Sequence, residues 1–178
     1  MRSSYKILNP EGVYFVTSTI VDWIPIFTSP KYFSILIDNF KFYQLHNNLK
    51  IYSYVILENH FHMIVSNNNL SKTMQSLKKY TAKEIIENLV KDGKRDILNK
   101  LELAKKDYKT TSIHQVWQEG FMPKEILTPK ELNQKMEYVH MNPVKRGLVE
   151  LPEQWIYSSA CDYLADKNGL IDIDFSLF

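Results

Sequence analysis

Two histidines separated by a single residue, His60 and His62, stand in the stretch ENHFHMIV. Side chains alternate along a strand, so both imidazoles project from one face while Phe61 turns to the other. Two ring nitrogens so placed can share one metal ion, but a third donor is needed to complete a site. The candidates for it are Glu58, the asparagines Asn67, Asn68 and Asn69, His114, His140 and Asn142. A second constellation lies in YVHMN. Tyr138 and Asn142 are four residues apart and share a helix face, with Gln134 one turn earlier and His140 turned elsewhere. A tyrosine hydroxyl can act as a covalent nucleophile. A tyrosine near a helix end is also a common packing residue, and the chain has eleven tyrosines.

The elements that must position these residues follow from periodicity. Residues 12–20 mix β-branched and aromatic side chains in near alternation after a Pro-Glu-Gly turn and read as a first strand. From Pro30, Phe33, Ile37, Phe40 and Leu45 recur at helical spacing up to Asn47 and Asn48. Residues 51–57 and 61–65 form two apolar runs with the pattern of a β-hairpin. Ser71 then caps a long helix carrying Met74, Leu77, Thr81, Ile85 and Leu89 on one face and ending near Gly93. The charged segment 94–111 suggests a short helix over 97–105 followed by a loop. Residues 112–117 and 121–127 read as strands, and a last helix runs from Pro129 to about Met141, because Pro143 disfavours helical backbone at Asn142. Strand, helix, strand, strand, helix, strand is the order of a ferredoxin-like (RRM-like) split βαβ antiparallel sheet, an α+β fold, here with an additional C-terminal helix. No repeat or low-complexity linker appears, so residues 1–178 are expected to form one domain, with the tail from about 147 wrapping it.

Composition narrows the class. The chain has 178 residues, 44% hydrophobic and 24% charged, as in an ordinary globular protein. Its one cysteine, Cys161, excludes an intrachain disulfide and a Cys-rich zinc knuckle and is expected to be inert core. With no apolar leader and no run of about 18 apolar residues, a cytoplasmic protein with no membrane partner is expected. The net charge of +2 says little, yet residues 72–109 hold eleven Lys or Arg against six Asp or Glu. Lys72, Lys78, Lys79 and Lys83 sit there at spacings that make a phosphate track on the second long helix, with a solvated helix face as the rival reading.

Four runs, ENHFHMIV, VWQEGF, YVHMNPVKRGLVE and WIYSSACDYL, occur in the order and at roughly the spacing found in the REP-associated tyrosine transposases, of the HUH (His-hydrophobe-His) single-tyrosine superfamily. The resemblance covers about residues 12–164. It implies that His60, His62 and Asn142 are metal ligands, with Mg²⁺ or Mn²⁺ as cofactor. It also implies that Tyr138 attacks a DNA phosphodiester to leave a 5′-phosphotyrosine and a free 3′-OH. The implied partner is single-stranded or hairpin DNA, and the implied assembly a homodimer or monomer. Lys145 and Arg146, directly after the catalytic helix, are placed to meet the scissile strand. The wider superfamily often carries Gln where Asn142 stands, and related chains commonly have Pro where this one has Glu58, whose carboxylate is expected to face solvent. Trp155, in the family's WxxSS tail, is expected to be a packing anchor. The chemistry is coherent, because a divalent metal on a nonbridging oxygen withdraws charge from a phosphodiester and orients it for in-line displacement. Two other classes compete: a non-cleaving single-stranded nucleic-acid-binding module on a ferredoxin-like sheet, and a small zinc hydrolase that has no need of Tyr138.

Overall fold

A computed structural model describes residues 7–108, 112–165 and 167–177. Residues 109–111, at the end of the loop expected after 105, lie outside them, as do Asp166 and Phe178 of the tail. The first alternating run forms strand β1 (Tyr14–Thr19), followed by helix α1 (Pro30–Asn47), strands β2 (Lys50–Ile56) and β3 (His60–Ser66), and helix α2 (Leu70–Lys91). Pro30 opens α1, where its missing N–H costs nothing, and Asn48 closes it in the left-handed region at φ 52°. Helix α2 starts one residue before Ser71, with Asn69 as its cap residue. After α3 (Arg95–Leu103) and the two-residue strand β4 (Lys124–Glu125) come α4 (Pro129–Lys145) and the short α5 (Ala160–Leu164). The sheet order is β2-β3-β1-β4, with every pair antiparallel. This is the ferredoxin-like split βαβ arrangement that the periodicity led to. No helix among the described residues is long and apolar enough to cross a membrane.

Strand alternation sorts the core into two layers. Tyr14, Val16, Phe61, Met63 and Val65 pack under α1 and α2 with Phe40, Leu77 and Ile85. Phe15, Val55, Leu57 and Ile64 point the other way and meet Met136 and Val139 of α4. A bulge between Ile51 and Ser53 breaks the β2–β3 register.

Three expectations are corrected. Residues 112–117 do not form a strand: Trp117 makes only an isolated bridge to Ile20 while its indole turns into the core, donating to Thr81 Oγ1 at 3.1 Å. Residues 121–127 yield only β4. The chain does run along β1, with bonds from Gln118 N–H to Thr19 C=O and from Ile126 N–H to Val13 C=O. Gly120, at φ 67°, and Pro123, which has no N–H, interrupt the ladder. Helix α4 does not stop at Met141 but continues through Pro143 to Lys145. Pro143 removes one donor and its ring crowds the Val139 carbonyl, but the next turn still closes, with Arg146 N–H reaching Asn142 C=O at 3.1 Å.

The tail closes the outer edge of β2. Ile56 N–H donates to Tyr157 C=O, the Trp155 indole N–H donates to Ile56 C=O, and Val55 bridges Ser158. Trp155 is thus a packing anchor, as expected. Ser159 is the rivet. Its buried Oγ accepts from Tyr54 N–H at 3.0 Å and lies 3.0 Å from His140 Nε2 and 3.2 Å from Ser53 Oγ. Burial lowers the His140 pKa from 6.5 to about 4.

Replacing Ser159 by Ala strands the Tyr54 N–H in the core and is expected to cost about 1–3 kcal/mol in urea unfolding. Because the folded pKa of His140 is depressed, the unfolded chain takes up the proton first. The stability held by the neutral ring is complete above about pH 6.5 and declines toward pH 4, by about 3 kcal/mol at the limit. Unfolding measured across this interval should show a shallower pH slope, by up to one proton, in His140→Asn than in the parent.

Candidate functional site

His60 and His62 leave β3 on the side facing α4, with ring centroids 4.8 Å apart. Both are buried, and each has one nitrogen held by a neighbour. His62 Nδ1 lies 2.7 Å from Oγ1 of Thr17, its register partner on β1. His60 Nδ1 lies 2.7 Å from Asn59 Oδ1. The Asn59 amide is oriented by its other end, where Nδ2 donates to Trp23 C=O at 2.9 Å. Oδ1 can therefore only accept, so the His60 proton sits on Nδ1 and Nε2 carries the lone pair. His62 Nε2 is buried and has no hydrogen-bond partner among the described residues. A proton on His62 Nδ1, donated to Thr17, gives that nitrogen a free lone pair too. Burial, with the nearby positive charge of Arg146, lowers the pKa of His60 to about 4, against a smaller opposing effect of Glu58. Burial, then His60, Lys135 and Arg146, lowers that of His62 to about 3. Both rings are neutral near pH 7 and available as ligands.

Helix α4 crosses this pair with one stripe, Lys135, Tyr138, Asn142 and Arg146, spaced three or four residues apart. Tyr138 stands edge-on to His62 at 5.2 Å and to Phe15 at 5.8 Å, and it is 40% exposed. Lys135 Nζ lies 4.5 Å over the Phe15 ring and 5.5 Å from that of Tyr138. Burial lowers its pKa, followed by repulsion from Lys124. At the other end Arg146 pairs with Glu58, two residues before His60. The Glu58 carboxylate is therefore bound to the helix rather than turned to solvent, and this ion pair ties α4 to the β2–β3 turn. Asn142 is buried on the stripe between Tyr138, which touches His62, and Arg146, which acts on both imidazoles.

The other candidate donors lie elsewhere. His140 faces Ser53 and Ser159, and His114 lines a cavity with Lys78 and Lys79 beside α2. Asn67, Asn68 and Asn69 follow the far end of β3, where Asn67 donates to Asn47 C=O. Among the described residues no third His, Cys, Asp or Glu completes a cluster with the histidine pair. Two neutral imidazoles, with the Asn142 amide as the expected third donor, would suit a divalent cation and leave its charge undiminished. Lys145 ends α4 and Arg146, which follows it, acts on the pair, whereas Lys72, Lys78, Lys79 and Lys83 stand on α2, across the sheet from Tyr138. Lys78 there reaches the carbonyls of Gln118 and Gly120, and Lys83 lies 3.8 Å from Glu87.

Thr17, Asn59, Lys135 and Trp23 escaped the sequence reading. Asn59 and Lys135 had a local signal, being adjacent to His60 and three residues before Tyr138. Thr17 had none, because its role depends on strand register. Trp23 is 54% exposed and meets His60 edge-on at 5.5 Å.

No protein-family model matches the chain. A Haemophilus influenzae protein named for the REP-associated tyrosine transposases is 41% identical over 44 residues, 25% of this chain. The match spans only a quarter of that relative's own length. A solved structure described as a REP-associated tyrosine transposase bound to a REP hairpin has the same fold, with a TM-score of 0.68. It covers 99% of this chain and 96% of its own, at 20% identity.

Thr17→Val removes the support of His62 Nδ1 at nearly constant volume. Mn²⁺ affinity, followed by electron paramagnetic resonance of the free ion, is expected to fall about 10–100-fold, as for other losses of a ligand's hydrogen-bond partner.

Proposed function

We propose that this chain is a REP-associated tyrosine transposase, a metal-dependent transesterase that cuts and rejoins single-stranded DNA at hairpin or REP-like sequences through a 5′-phosphotyrosine. The reading rests above all on the edge-on contact between Tyr138 and His62, whose buried Nε2 has no hydrogen-bond partner among the described residues. A tyrosine packed against an imidazole with a free lone pair supports the pairing of nucleophile and ligand that this chemistry needs. The REP hairpin held by the structure of like fold supports hairpin DNA as the substrate class. A cytoplasmic, DNA-associated protein, acting as monomer or homodimer, belongs to the same reading.

His60, His62 and Asn142 would hold Mg²⁺ or Mn²⁺, which supplies charge withdrawal from the phosphate and a fixed orientation for it. The Tyr138 oxygen attacks phosphorus and the bond to the 3′-oxygen breaks. The phenol proton passes to solvent, and the departing 3′-oxygen takes one up to become a free hydroxyl. The phosphotyrosyl ester keeps the bond energy, so a 3′-OH can reverse the step without an external energy source. Lys135 puts a positive charge beside the path by which an anionic phosphate reaches the tyrosine. Lys145 contacts the strand near the cut, while Lys72, Lys78, Lys79 and Lys83 serve only DNA long enough to pass to the other layer.

A non-cleaving module that holds a strand on an open sheet face fits less well, because α4 covers the sheet surface that such a module leaves free. A zinc hydrolase with three His, Cys, Asp or Glu ligands lacks its third ligand among the described residues.

Incubated with a hairpin bearing single-stranded tails and Mn²⁺, the protein is expected to form a protein–DNA adduct that survives denaturing electrophoresis. Tyr138→Phe should reduce adduct and cleavage by at least about a thousandfold, the scale of losing a covalent nucleophile. Undiminished cleavage by Tyr138→Phe would remove the tyrosine from the mechanism.

A further inference from the structure

Trp23 has a backbone that needs an explanation. It and Asp22 both lie in the left-handed region, at φ 56° and 49°, which is unfavourable for side chains bulkier than glycine and rarer still for two residues in succession. Surrounding hydrogen bonds hold the turn there. Ile20 N–H donates to Asn59 C=O, the N–H groups of Ile26 and Phe27 both donate to Glu58 C=O, and the Asn59 amide donates to Trp23 C=O. The flanking Ile24, Ile26 and Phe27 are buried, yet the indole is not. The segment is thus anchored on both sides, and what it presents is a large aromatic surface beside His60.

The aromatic rings stand in a row, Trp23, His60, His62 and Tyr138, with successive centroids 5.5, 4.8 and 5.2 Å apart. The imidazoles lie between the tryptophan and the tyrosine. A strand can cross this row within a couple of nucleotides. In-line displacement puts nucleophile and leaving group on opposite sides of phosphorus. With Tyr138 on one side of the ligand pair, the leaving 3′-oxygen and the nucleoside that bears it fall on the Trp23 side. Positive charge lies beside Tyr138 on Lys135 and beside His60 on Arg146, which is paired with Glu58, and at Trp23 itself a strand meets an exposed ring. Every base has a π-face that a tryptophan can stack on, whatever its sequence.

Resting on the proposed transesterase reading, we infer that Trp23 is the stacking platform for the nucleobase immediately 5′ of the scissile phosphate, the base whose nucleoside carries the 3′-OH released by cleavage. It holds this product end beside the phosphotyrosine and so favours rejoining over loss of the fragment.

The test uses a tailed DNA hairpin whose cut position has been mapped with the parent protein. 2-Aminopurine is then placed either immediately 5′ or immediately 3′ of the cut, and intact complexes with Mn²⁺ are formed in the Tyr138→Phe background. Quenching should be strongest at the 5′ position, lost in Trp23→Leu and retained in Trp23→Phe. Affinity for the hairpin should fall about tenfold or more in Trp23→Leu, the scale of one stacked base. In otherwise unaltered protein, Trp23→Leu should release more of the cleaved 3′-OH fragment. Mn²⁺ affinity should match the parent's in both Trp23 variants. A loss of Mn²⁺ affinity equal to the loss of DNA affinity would assign Trp23 to support of His60 instead and overturn the platform. So would quenching that is unchanged in Trp23→Leu or strongest on the 3′ side. A parent protein that cuts DNA while Trp23→Leu behaves identically refutes the platform alone. A parent that neither binds nor cuts refutes the transesterase reading and the platform with it.

Discussion

A β-strand can send its side chains only to two faces, and β3 is buried on both. Phe61, Met63 and Val65 belong to the layer under α1 and α2, so His60, His62 and Ile64 must emerge toward α4. The histidine pair is therefore oriented by the core itself. A one-residue slip of register would bury the imidazoles among Phe40 and Leu77 and turn Phe61 toward α4 in their place. Sheet order supplies the rest of the surroundings. With β1 beside β3, Thr17 is opposite His62, and Phe15, one step along the same face, becomes the floor on which Tyr138 rests.

Helix α4 is the second half of the site, and its position is determined at three points. Met136 and Val139 seat it on Phe15, Val55 and Ile64. His140 engages Ser53 and the tail residue Ser159. Arg146 pairs with Glu58. The first two contacts leave from faces adjoining the stripe that carries Tyr138 and Asn142, whereas Arg146 fixes the helix from the stripe itself, beside the histidine pair. Buried neutral imidazoles serve both ends, though differently. His140 spends Nε2 on serine hydroxyls, whereas His62 keeps its Nε2 free.

Much of this was legible in the residues. Two-residue alternation in β1 and β3, helical spacing in α1 and α2, and the i,i+4 relation of Tyr138 to Asn142 depend on neighbours along the chain, and these features emerged as read. What failed to emerge depended on distant partners. The stretch 112–127 has strand-like composition, but pairing with β1 is broken by the backbone at Gly120 and Pro123. The local rule makes Pro143 a stop, yet the bond from Arg146 to Asn142 carries α4 past it. The α2 lysines share a helix face, but periodicity does not reveal which layer that face belongs to. Asp22 and Trp23 are the extreme case, since nothing local announces left-handed backbone in two consecutive non-glycine residues.

Asn59 shows how little freedom remains at a residue that faces no substrate. One end of its amide donates to a main-chain oxygen across the loop, and the other accepts from an imidazole. Aspartate has the shape but no donor, leucine has neither group, and glutamine is one methylene too long for two contacts at 2.9 and 2.7 Å. In informational terms the position approaches a one-letter alphabet, although it is neither the proposed nucleophile nor a proposed ligand. A survey of tolerated substitutions would rank it with the chemistry, for reasons that are entirely architectural.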